Sequence, residues 1–181
     1  DTGWSGPSRA LLAVETASTI TPYIGTALTL GRTTYYFRTW VNIPTNLPNG
    51  TLLRATTMID DGAVIFINGK QVQRVRMNSG TYSYSTFAND QPPVNSDASQ
   101  EVFYWIAATN LVRGSNVIAA EVHQINAGSS DIVWGMQLDA MVAVPNRPPS
   151  LLTQPVSRVV SNGVNVTFNV TTTGSTPITY Q

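Results

Sequence analysis

Asp60 and Asp61 stand side by side in "DDGAVIFING", residues 60–69, ahead of a glycine, an apolar run and Asn68-Gly69. Adjacent carboxylates are hard oxygen donors, and calcium takes six or more such oxygens. Neighbouring side chains of a strand point to opposite faces, so both reach one ion only where the backbone bends sharply. The competing reading is structural. Both carboxylates then accept backbone N–H groups in a tight turn that Gly62 permits.

His123 is the one histidine of the chain and lies in "NVIAAEVHQI", two residues from Glu121 and so on the same strand face. Glu121 and His123, with Arg38 from a neighbouring strand, form candidate polar contacts for a sugar. The same three residues also read as a cross-strand structural cluster. Carbohydrate sites pair aromatic rings with a few polar groups. Tyr82, Tyr84 and Phe87 lie in a polar stretch, "NSGTYSYSTFANDQPPVNSDASQ", residues 78–100, and are the candidate exposed rings. Trp4, Trp40, Trp105 and Trp134 are expected mostly in the core, as aromatic strand residues are.

Catalysis finds little support. The chain lacks a nucleophile elbow, a Gly-rich phosphate loop after a strand and a His-x-x-x-His pair. A Ser-His-Asp triad would have to combine His123 with Ser129 or Ser130 and Asp131, and nothing marks either hydroxyl as activated. The expectation is a non-enzyme.

The elements that must position these residues are strands. Apolar residues alternate with polar ones, and Gly, Pro and Asn interrupt them every ten residues or so, the pattern of an all-β sandwich or barrel. In "TTYYFRTWVNI" Tyr35, Phe37, Thr39 and Val41 share one face, and Tyr36, Arg38 and Trp40 the other. "TLLRATTMI", "GAVIFI", "KQVQRVRM", "EVFYWIA", "NVIAAEVHQI" and "DIVWGMQLDAMVAV" follow as further strands. Asn68-Gly69 predicts a two-residue hairpin turn with positive φ at both positions. The 78–100 stretch is long for a loop, and such loops are usually functional or mobile. "VPNRPPS", residues 144–150, holds three prolines and reads as a linker.

Composition narrows the partners. Ten basic residues balance ten acidic ones, which leaves no basic face for phosphates and argues against nucleic acid. No apolar run of 18 residues is present to insert in a membrane. Cysteine is absent, so no disulfide framework or thiolate metal site forms. Charged residues make up 11% of the chain, and Lys70 is the sole lysine. A surface solubilised by Thr, Ser, Asn and Gln suits a secreted or cell-surface protein. Asp1 is preceded by no methionine or signal peptide, so a mature or excised piece of a larger product is expected.

"TTYYFRTWV", "DDGAVIFINGKQVQRVRM", "GSNVIAAEVHQ" and "SSDIVWGMQLDA", in that order, resemble the galactose-binding-like jelly-roll domain of large secreted bacterial proteins. A looser similarity exists to the sugar-binding jelly rolls of β-galactosidases, through the Asn-Gly turn and a "G-x-N" before a late strand. The Asp-Asp dipeptide, without its surroundings, is similar to the pair that holds calcium beside a sugar in PA14-type adhesins. "PPSLLTQPVSRVVSNGVNVTFNVTTTGSTPITYQ" resembles the opening of a bacterial immunoglobulin-like domain. The resemblances imply a jelly-roll sandwich over residues 1–144, a linker at 145–150 and an incomplete immunoglobulin-like sandwich over 151–181. The function they imply is a non-catalytic extracellular module for carbohydrate binding or surface adhesion. The alternative is a structural subunit of an extracellular filament, joined to other chains by strand pairing of residues 151–181. "VNVTFNV" carries the alternation for such a strand. No cofactor is expected other than calcium at Asp60 and Asp61.

Overall fold

The alternating segments form antiparallel strands, because alternation places one set of side chains on each face of a pleated ribbon. A computed structural model describes residues 8–43, 46–89, 98–106, 110–142 and 146–179. Its strands are β1 (Leu12–Val14), β2 (Thr26–Ala27), β3 (Thr34–Ile43), β4 (Leu52–Asp60), β5 (Gly62–Ile67), β6 (Lys70–Val75), β7 (Ser99–Ile106), β8 (Gly114–His123), β9 (Ile132–Met141), β10 (Ser150–Thr153) and β11 (Thr171–Thr173). The chain divides into two compact units, residues 1–142 and 143–181, close to the expected break before the prolines.

The first unit is an all-β sandwich, as the alternation predicts. One sheet has the order β2-β1-β9-β4-β7 and the other β3-β8-β5-β6. Strands β3, β4, β5, β7, β8 and β9 pass back and forth between the two sheets. Leu53, Ala55 and Ile59 of β4 face Ala63, Ile65 and Ile67 of β5 and Ile118, Ala120 and Val122 of β8 in one core. Phe37 stacks on Trp134 with ring centroids 6.0 Å apart. Each fully buried Ile or Leu contributes roughly 1.5–3 kcal/mol, so this interior dominates stability.

Asn68 and Gly69 both adopt positive φ, 51° and 77°, as the predicted turn requires. Asn68 also locks its surroundings: its amide donates to the Asn116 side chain at 2.8 Å, and its side-chain oxygen accepts from Val117 N–H at 2.9 Å. At Asp61 the chain turns a corner from one sheet to the other. A Cβ on Gly62 would stand 2.7 Å from Ala88 Cβ and 2.9 Å from the Arg76 carbonyl oxygen, so the corner admits only glycine without rearrangement.

Two expectations change. Trp40 is not in the core but 56% exposed, because Phe37 and Val41 take the inward positions of β3. Residues 78–89 of the polar stretch are a packed cover over the outer face of the four-stranded sheet, where Tyr82 and Ala88 join Val64, Phe66 and Met77 in a second cluster. Trp4 and residues 90–97 lie outside the described residues. Among the described residues no helix is long and apolar enough to cross a membrane.

In the second unit β10 and β11 pair antiparallel, with Ser150 opposite Thr173. "VNVTFNV" is not a strand here; no neighbouring strand pairs with it, and an alternating segment without a partner forms no ladder. None of residues 146–179 is buried.

Candidate functional site

Two groups of candidate side chains lie on the outer faces of the two sheets. The first is on the four-stranded sheet. Along edge strand β3, Tyr36 and Trp40 project outward with 49% and 56% of their surface exposed, and Arg38 lies between them. The Arg38 guanidinium sits 4.8 Å from the Trp40 ring centre, a cation–π contact that holds the indole in place. Strand β8 sets Glu121 directly opposite Tyr36, and Ala119 opposite Arg38. Small side chains at that position leave the rings standing above the sheet. Burial pushes the Tyr36 phenol up, followed by the charges of Glu121 and Tyr84. Tyr84, half-exposed, reaches this area because Thr34 Oγ1 donates to its carbonyl oxygen at 2.7 Å.

His123, expected as a ligand contact, is fully buried beneath the cover. Its Nδ1 lies 2.7 Å from the Thr86 carbonyl oxygen and 3.0 Å from Thr34 Oγ1. A carbonyl only accepts, so Nδ1 carries the hydrogen. Nε2 is then the lone-pair nitrogen, buried without a hydrogen-bond partner and 3.9 Å from Glu121 Oε2. Burial pushes the His123 pKa down and that of Glu121 up. Tyr82 is tilted against the imidazole at 6.1 Å and bonds the Asn78 carbonyl, so it belongs to the cover rather than to an exposed platform. Phe87 is 41% exposed on the same cover. Of the six residues expected to touch ligand, Arg38, Glu121 and Tyr84 thus lie on the outer face, while His123 is buried with Tyr82 packed against it. Tyr36 and Trp40 complete the group. The signal for them was their shared parity with Arg38 in "TTYYFRTWVNI".

No protein-family model, curated protein or solved structure matches this chain.

The second group lies on the outer face of the five-stranded sheet, at the opening acidic pair. Asp60 ends β4, with its carboxylate turned toward Glu15 and Asp131. One oxygen from each of these three residues lies within 4.8 Å of the others. The register explains the meeting. Val14 pairs with Ile132 and Asp60 with Val133, so Glu15 follows the last paired residue of β1, and Asp131 precedes the first of β9. Glu15 Oε1 accepts from the N–H groups of Thr16 and Ala17 at 2.6 and 2.8 Å. Glu15 Oε2 and Asp60 Oδ2 are buried and accept no hydrogen bond. Burial, then the charges of Asp61 and Asp131, push Asp60 up to about 8.

Asp61 stays close enough to Asp60 to raise its pKa by charge and by a side-chain hydrogen bond. Its Oδ2 accepts from Ile125 N–H at 2.7 Å and from the Ser129 hydroxyl at 3.3 Å. It is the backbone-anchoring carboxylate that the structural reading anticipates, although its partner comes from a distant loop and not from its own turn. Arg76 braces the corner, donating to the carbonyls of Ile59 and Asp61 and pairing with Glu101.

Proposed function

We propose that residues 1–142 act as a non-catalytic extracellular module, secreted or held at a cell surface, that binds carbohydrate through the outer face of the four-stranded sheet. The observation that carries the reading is the exposed pair of rings on β3, Tyr36 and Trp40, with Arg38 between them and Glu121 and Tyr84 beside them. Pyranose rings present apolar C–H faces and a rim of hydroxyls. Flat aromatic side chains take the first, and a guanidinium and a carboxylate take the second. The face is open, which suits a polysaccharide chain better than a small enclosed ligand. Binding of the 181-residue chain to an array of immobilised glycans tests the reading. Retention on at least one polysaccharide class supports it, and a blank array removes it.

A second reading applies to residues 143–181, which would join the chain to other protein chains in a filament or larger assembly. Its support is the exposed apolar series Leu152, Val156, Val159, Val164 and Phe168, with Val159 fully exposed. Short strands with open edges favour pairing with another chain.

A further inference from the structure

We propose that Glu15, Asp60 and Asp131 form a binding site for a calcium-class divalent cation, on the five-stranded sheet and independent of the proposed glycan face. Three adjacent strand ends each supply one carboxylate. Glu15 follows β1, Asp131 precedes β9 and Asp60 closes β4, in the sheet order β1-β9-β4. Their oxygens lie within 4.8 Å of one another. Calcium holds oxygens at about 2.3–2.6 Å, so ligands on opposite sides of the ion stand about 5 Å apart, which this spacing matches.

The independent observation is the pair of orphaned oxygens. Glu15 and Asp60 are 9% and 7% exposed, and Glu15 Oε2 and Asp60 Oδ2 are buried with no hydrogen-bond partner. A buried carboxylate oxygen left without a partner is costly, and a coordinated cation removes that cost for several oxygens at once. The donors are all oxygen, which favours a hard ion over zinc or copper. Ile20, Ala13 and Val133 pack in one buried cluster with Met58, the neighbour of Asp60 on the same face of β4. A bound ion would tie the N-terminal segment to the β4–β5 corner and to the start of β9. Asp61 Oδ2 is held by Ile125 N–H and the Ser129 hydroxyl and braces the corner next to the site.

The test uses the 181-residue chain stripped with EDTA and dialysed at neutral pH, with calcium chloride as the probe. Titration calorimetry should show one calcium per chain. Saturating calcium should raise the melting temperature by about 5 °C or more, since an ion bound only by the folded state stabilises it. Asp60→Asn and Glu15→Gln should each abolish the calcium response. Without calcium both should melt within a few degrees of the wild-type temperature, because each amide keeps the shape of the acid and an oxygen that accepts hydrogen bonds. The absence of both calcium heat and a melting shift in the wild-type chain overturns the proposal, and so does an undiminished calcium response in both variants.

Discussion

His123 donates from Nδ1 to the carbonyl oxygen of Thr86 at 2.7 Å, and this bond fastens the 78–89 cover onto the end of β8. Either protonation state can donate this bond, and burial favours the neutral form.

A pH dependence follows. The folded-state pKa of His123 is below its usual value, so the unfolded chain binds the proton more readily. Stability is fully present above about pH 6.5, the unfolded pKa, and falls as pH drops below it. Glu121, 3.9 Å from Nε2, is shifted upward by burial and works in the opposite sense. Urea unfolding at pH 7.5 and 5.5, compared with His123→Asn, isolates the histidine. The wild-type chain should lose more stability than the variant over that interval.

Gly69→Val places a β-branched residue at φ 77°. Strain of this kind costs on the order of 1–3 kcal/mol. Chemical denaturation should show that loss, while an unchanged midpoint would mean that the turn relaxes to another type.

Gly62→Ala adds a methyl where Ala88 and the Arg76 carbonyl already stand within 3 Å. Overpacking against backbone costs roughly 1–3 kcal/mol. The loss should be accompanied by faster proteolysis within residues 78–89, because the methyl lifts the cover that Ala88 anchors.

The C-terminal unit should self-associate if it is an assembly segment. Light scattering of the 181-residue chain should show mass rising with concentration. Val159→Asp with Phe168→Ser should return it to a single chain. A monomer at all concentrations would contradict the assembly reading.

The strand plan was legible because burial on one face imposes a period of two, which shows plainly in "TTYYFRTWVNI" and "NVIAAEVHQI". Asn68-Gly69 was legible because the turn type demands those residues. The cover was not. Its polar letters conceal an anchor made by the Thr86 carbonyl and by Ala88 N–H, which donates to the Gln124 carbonyl at 2.9 Å, and backbone bonds leave little trace in composition. Asp60 was flagged by the acidic pair, but Glu15 and Asp131 meet it only through the β1–β9–β4 register, which pairs residues distant in sequence. "VNVTFNV" shows the converse. Alternation marks a capacity for pairing, and a strand forms only where a partner edge is present.

The most direct test of the central claim is the affinity for the best-bound array glycan of the wild-type chain and of Trp40→Ala, by titration calorimetry on samples of matched melting temperature. Trp40 is exposed, so its removal should leave folding intact. Stacking rings dominate such contacts, so affinity should fall about tenfold or more. Equal affinity in the two proteins, or a ligand footprint away from Tyr36, Trp40 and Tyr84, would contradict the account.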